Sequence, residues 1–161
     1  MLLVDIEFCD FHDLNDIYSI EKEAHINPWP YDVFETDLKY RSSSIFYLGA
    51  RWRGKLCGFG VCRQEGRALK IMNLAVLPEF RRHKVASQLL LAMGEVGLEL
   101  ACRKVLLEVR VTNRPAITLY EQFGFKKLRV LSRYYEDGED AYLMTSPLPF
   151  PGVKAEESVD A

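Results

Sequence analysis

The stretch MNLAVLPEFRRHKVAS, residues 72–87, decides the fold. Its apolar first half, continuing Ile71, reads as a strand. Leu77-Pro78-Glu79 turns the chain, and Arg81, Arg82, His83 and Lys84 form a basic cluster. An amphipathic helix then opens. A strand feeding a basic turn at a helix N-terminus suits a phosphate group. The first helical turn leaves backbone N–H groups unpaired and carries partial positive charge, and side-chain cations add to that field. The competing reading is a solvated turn that happens to be basic.

Working outward, residues 84–100 carry Val85, Leu89, Met93, Val96 and Leu100 on one helical face. Gly94 and Gly97 weaken that helix by roughly 1 kcal/mol each against alanine, and are read as admitting close packing on a sheet. Upstream, residues 45–52, 56–63 and 67–76 are strand candidates. The turns Arg53-Gly54 and Glu65-Gly66 join them, which predicts an antiparallel meander. Residues 2–8 read as a further strand. Capping residues within 10–13 then precede a helix with Leu14, Ile17, Tyr18 and Glu21 at helical spacing. Asn27-Pro28-Trp29-Pro30 breaks the chain before a short helix at 31–40.

Downstream, residues 104–111 alternate, with Val105, Leu107 and Val109 on one face and Leu106 and Glu108 on the other. Asn113 is placed to cap a helix at 115–123 that begins near proline and ends at Gly124. Residues 125–133 and 141–145 are the last strands, joined by a polar loop. The order β-α-α-β-β-β-α-β-α-β-β predicts an α/β fold, of mixed-sheet α+β type, with a meander and one helix crossover to a parallel neighbour. One domain is expected at 1–148. Residues 146–161 contain three prolines and three acidic residues, and a flexible tail is expected at 149–161.

A chain of 161 residues with 48% hydrophobic residues suits a single well-cored domain, and a net charge of −2 gives no global pull toward nucleic acid. Anion binding must therefore be local. The four cysteines, at 9, 57, 62 and 102, make no C-x-x-C pair and fit no zinc spacing. They read as small buried apolar residues in a reducing compartment, with no metal. The N-terminus MLLVDIEF is too short and acidic for a signal peptide, and no apolar run reaches the length of a membrane span. The expectation is a cytoplasmic protein without membrane or direct nucleic-acid partners. Oligomeric state is not legible.

The pattern resembles the GCN5-related N-acetyltransferase superfamily over residues 2–148. That superfamily's signature is Gln or Arg, two residues, Gly, one residue, then Gly or Ala. Here Arg81, Lys84 and Ala86 fill those places, with lysine where the family has glycine. LEVRVTNRPAITLYEQFGF, residues 107–125, looks like the strand and helix that close the family's cofactor site. Within the superfamily the chain is closer to protein N-terminal acetyltransferases of the ribosomal-protein-alanine type and their archaeal relatives. EKEAHINPWPYDVF (residues 21–34), NLAV (73–76) and SRYYEDGEDAYLM (132–144) carry that likeness.

The resemblance implies acetyl-CoA as donor, a primary amine as acceptor and no metal. It implies a cofactor site at Leu74, Ala75 and Val76 of the strand, at Arg81, Arg82, His83, Lys84, Val85, Ala86 and Ser87 of the turn and helix, and at Asn113. For Asn113, a cap and a bond to the pantetheine arm are both open. Glu108 has two readings: an ion-paired glutamate, with Lys104 or Arg110 on its own strand, or the general base that the family position implies. Tyr120 is likewise either a core tyrosine or the general acid for the leaving thiolate. Tyr134 and Tyr135, if on a strand, point to opposite faces, and Tyr134 is preferred as an acceptor contact. Pro28 and Trp29 either wall the acceptor site or pin the first loop. His12 and His25 read as surface or capping residues, and the acidic run at 136–140 as a solvated turn.

The implied function is transfer of acetyl from acetyl-CoA to the N-terminal α-amine of a protein, such as a small-subunit ribosomal protein beginning with alanine. Two alternatives stand beside it: an acetyltransferase for a small amine such as a polyamine or amino acid, and a non-catalytic acyl-CoA-binding protein.

Overall fold

The structure, a computed structural model, describes residues 1–153. Its elements follow the expected order: β1 (Asp5–Phe8), α1 (Leu14–Ala24), α2 (Tyr31–Tyr40), β2 (Ile45–Trp52), β3 (Lys55–Glu65), β4 (Ala68–Val76), α3 (Val85–Glu99), β5 (Lys104–Arg110), α4 (Arg114–Phe123), β6 (Lys126–Leu131) and β7 (Ala141–Pro147). Seven strands are hydrogen-bonded in the order β1-β2-β3-β4-β5-β7-β6. β4 and β5 run parallel, because α3 returns the chain to the end from which β4 started. No helix among the described residues is long and apolar enough to cross a membrane.

The described residues fall into two compact units, one of Met1–Arg63 and Met72–Met93, the other of Gln64–Ile71 and residues 94–153. In the first unit, the apolar stripes of α1 and α2 bury Ile17, Ile20, Phe34 and Leu38. The Phe34 ring meets Phe59 and Tyr47 edge-on, at 5.8 and 6.3 Å. A capping box at Asp10 and Asp13 starts the 3-10 turn that leads into α1. β1 is shorter than the strand expected at 2–8. Leu2 N–H donates to His83 O at 3.2 Å, Gln88 Nε2 to Leu2 O at 2.6 Å, and Val4 N–H to Gln88 Oε1 at 3.2 Å. The first residues thus spend their backbone groups on the start of α3 rather than on β2.

In the second unit, β5 pairs with the first residues of β4 (Ala68↔Lys104 to Lys70↔Leu106) and along its length with β7 (Lys104↔Pro147 to Arg110↔Ala141). Val105, Leu107 and Val109 are buried while Leu106, Glu108 and Arg110 are half-buried, as the alternation predicts. α4 is capped by Asn113 Oδ1, which accepts the Ala116 N–H at 3.3 Å. It ends at Gly124, whose φ of 110° glycine tolerates without strain.

Residues 149–153 of the expected tail pack against the fold. Phe150 is 5% exposed and packs on Phe123 and Phe125, with ring centroids at 5.4 and 5.6 Å. Gly152 N–H donates to Phe123 O at 3.0 Å. A β-carbon at Gly94 would collide with the Phe150 ring, so this glycine makes room for the C-terminal segment. Gly97 serves the sheet as expected, facing Leu69 of β4 as well as Leu148. One large aromatic among the prolines outweighs the disorder-like composition around it. Residues 154–161 lie outside the described residues.

Candidate active site

In the first unit, Leu74, Ala75 and Val76 close β4, and a Pro78–Phe80 3-10 turn leads to the basic cluster. Arg81, Arg82, His83 and Lys84 are exposed. Arg81 donates to Ala24 O at 3.4 Å. Arg82 and Lys84 both take positive φ, 65° and 61°. The N–H of Gln88 donates to Lys84 O at 3.2 Å. The preceding amides of Val85, Ala86 and Ser87 lie in the first turn of α3, where no earlier helical carbonyl exists to accept them. Three exposed basic side chains beside these amides fit a diphosphate.

Trp29 lies in the loop between α1 and α2. Its N–H donates to Glu21 Oε2 at 2.9 Å, and its ring stacks on Phe34 at 5.5 Å with planes 25° apart. Pinned in this way, Trp29 also lines a cavity of about 350 Å³ with Val33, Asp37, Val61, Arg63 and Met72. Pro28 is exposed beside it.

Sequence reasoning missed the buried polar cluster behind this loop. Glu21 is 1% exposed and accepts from Asn73 Nδ2 as well as from Trp29. His25 Nε2 lies 3.0 Å from Asn73 Oδ1 and 3.5 Å from Glu21 Oε1. Both are acceptors, so Nε2 carries the proton. His25 is a capping residue as expected, closing α1 with its backbone N–H on Glu21 O at 3.1 Å, and its ring also joins this cluster. Glu21 in the apolar stripe of α1, four residues before a histidine, is the pattern that could have revealed it. His12 does sit on the surface, beside Asp10.

In the second unit, Glu108 is ion-paired, though not with either strand neighbour considered. Lys70 Nζ lies 2.7 Å from Glu108 Oε1, and the Tyr134 hydroxyl donates to the same oxygen at 3.1 Å. Lys70 faces Leu106 across the parallel pair, and this register brings its side chain to Glu108. Tyr134 and Tyr135 do not point to opposite faces. They follow β6 outside any strand, past Arg133 with φ 51°, and their rings meet edge-on at 5.0 Å. Arg110 covers the Tyr135 ring at 4.0 Å and is clamped by Asp137 and Glu139, each at 2.8 Å. The acidic run is a largely exposed turn, as expected, whose Asp137 and Glu139 also clamp Arg110. Tyr120 is 8% exposed and packs on Phe125 at 5.5 Å. Burial, with Tyr135 adding, pushes its phenol up to about 12, so it holds its proton at neutral pH.

The sequence pattern of the Acetyltransferase (GNAT) family matches residues 14–125. This chain belongs to that family. It is 51% identical over 152 residues to an N-alpha-acetyltransferase of Saccharolobus solfataricus, covering 84% of this chain and 88% of the relative. It is 31% identical to the ribosomal protein bS18-alanine N-acetyltransferase of Escherichia coli, over 84% of this chain and 92% of that protein. The crystal structure of Ard1 from Thermoplasma volcanium superposes with a TM-score of 0.83 at 26% identity, covering 91% of this chain and 98% of that one.

As a GNAT acetyltransferase, the protein departs from its family signature at Lys84. The φ of 61° there is a conformation glycine reaches freely. The turn therefore keeps a glycine-type backbone and adds a cation. Thiol chemistry finds no support: burial raises Cys57 and Cys102 and pushes Cys9 up to about 12, so each stays a neutral thiol at neutral pH.

Proposed function

We propose that this acetyltransferase acetylates the N-terminal α-amine of proteins by direct transfer from acetyl-CoA. The observation that carries the chemistry is the Glu108 carboxylate, held through one oxygen by Lys70 and Tyr134. The relatives named as N-alpha- and ribosomal-protein-alanine acetyltransferases support a protein N-terminus, with alanine among the candidate first residues, as the acceptor.

Acetyl-CoA supplies a thioester carbonyl and a thiolate leaving group. The Val85, Ala86 and Ser87 amides, with Arg82, His83 and Lys84, bind the diphosphate. Backbone at Leu74, Ala75 and Val76 orients the acyl end and meets charge developing on the carbonyl oxygen. Asn113 caps α4 through Oδ1, and its Nδ2 meets the pantetheine arm. Glu108 takes a proton from the acceptor ammonium, directly or through a water, and frees the lone pair that forms the new C–N bond. As the C–S bond breaks, the Tyr120 hydroxyl gives its proton to sulfur; the acylated nitrogen loses its second proton, which returns through solvent to the Tyr120 oxygen, and Glu108 releases the first to water. Trp29, Pro28 and Tyr134 contact the acceptor.

The test is incubation with labelled acetyl-CoA and a panel of N-terminal peptides, polyamines and amino acids. Label on peptide α-amines, with Tyr120→Phe slowing turnover about a hundredfold, is the expected result. Label only on polyamines or amino acids overturns the acceptor assignment. Cofactor binding without label overturns the enzymatic one.

A further inference from the structure

Glu108 is held differently from three other engaged carboxylates, Glu21, Glu139 and Asp137. Glu21 accepts on both oxygens, from Asn73 and from Trp29. Glu139 does the same, from Arg110 on one side and Thr112 on the other. Asp137 receives Arg110 on one oxygen and the Glu139 N–H on the other. These are saturated, structural carboxylates. In Glu108 both donors converge on Oε1, and among the described residues nothing donates to Oε2. The pair is also sheltered, with Lys70 22% and Glu108 12% exposed.

We propose that Lys70 is a positioning residue of the transfer reaction: its ammonium anchors Glu108 by one oxygen and leaves the other oxygen to receive the acceptor's proton. This rests on Glu108 being the proton acceptor. The groups around Glu108 agree with the assignment. From β4 comes Lys70, on which Glu65 also acts. From the segment after β6 come Tyr134 and Tyr135. On β7 the residue opposite is Leu143, which is apolar. Arg110, on the same strand, is committed to Asp137 and Glu139. Lys70 is thus the cation in direct contact. Burial works against the Lys70 ammonium, but its bond to Glu108 prevails and its pKa is raised, so the cation persists at neutral pH. Tyr134 is raised as well, by burial first and by Glu108 second, so it remains a donor.

The experiment measures kcat and the KM for acetyl-CoA in Lys70→Met, Lys70→Gln and Lys70→Arg, alone and combined with Glu108→Gln. In Lys70→Met and Lys70→Gln kcat falls about tenfold or more while the KM for acetyl-CoA stays near wild type, because a carboxylate that has lost its anchor is misplaced for the proton transfer and not for the cofactor. Lys70→Arg, which keeps the cation, retains most of the rate. In the Glu108→Gln background Lys70→Met costs little more, since the lysine acts through that carboxylate. A wild-type kcat in Lys70→Met or Lys70→Gln, or a full additional loss in the Glu108→Gln background, overturns the role of Lys70. A wild-type kcat in Glu108→Gln shows that Glu108 is not the base, which overturns the mechanism under Proposed function and the role of Lys70 in it.

Discussion

At Lys84 an L-residue holds a left-handed backbone that costs about 1–2 kcal/mol where glycine pays little. Lys84→Gly relieves that strain but loosens the unfolded chain by about 0.4–1 kcal/mol. The expected net gain is roughly 0.5–1 kcal/mol in urea unfolding, whereas Lys84→Ala, which keeps a β-carbon, gives none. A Lys84→Gly variant no more stable than Lys84→Ala would contradict a strained turn. The residue-scale reading of the site was uneven. Lys84 stood out in the signature, and Glu108 and Tyr120 could be singled out by position. Glu108 pairs with neither cation of its own strand, Lys104 or Arg110. Its contacts, Lys70 and Tyr134, reach it from other segments, and local spacing is silent about those.

Elements were the most legible level. Each helix and strand declared itself through the period of its apolar residues, and α2 and β2 fall on their expected bounds. The errors came at the ends, where competing partners decide. Residues 2–4 bond to the start of α3 rather than to β2, and residues 149–153 of the expected tail pack on the surface of α4. The second case has a measurable energy. Phe150→Ala removes a ring that is 5% exposed and packed between Phe123 and Phe125. A loss of about 3 kcal/mol in chemical denaturation is expected. A loss below about 1 kcal/mol would mean that the segment does not contribute to the core. Glu21, His25 and Asn73 show the same limit for polar residues: α1 was drawn correctly, but its glutamate was not seen as buried, because burial depends on what β4 and the following loop bring to it.

At the scale of the whole molecule, the acid response follows from the arginine clamp. The Glu139 N–H, then Arg110, holds Asp137 below its ordinary 3.8, and Thr112 with Arg110 holds Glu139 below its ordinary 4.5. Carboxyls with lowered folded pKa add stability that is complete above their ordinary values and disappears as pH falls through the lowered ones. Glu139→Gln should therefore melt below wild type at pH 6, with the gap closing as pH falls below about 4.5 and on past 3.8. A gap that stays constant from pH 6 to pH 3 would rule out this linkage.

The sequence by itself determined the order of elements, the parallel crossover through α3, the basic turn at its N-terminus and the face of β5 on which Glu108 lies. These are properties of neighbouring residues, fixed by backbone period, capping and turn chemistry. Only the tertiary structure decided which groups meet. Lys70 reaches Glu108 because β4 and β5 pair in one register, Trp29 is held because Glu21 is buried beneath it, and Phe150 docks because Gly94 leaves room. Such pairings join residues far apart in the chain, and their energies depend on a register and a packing that no local stretch of sequence encodes.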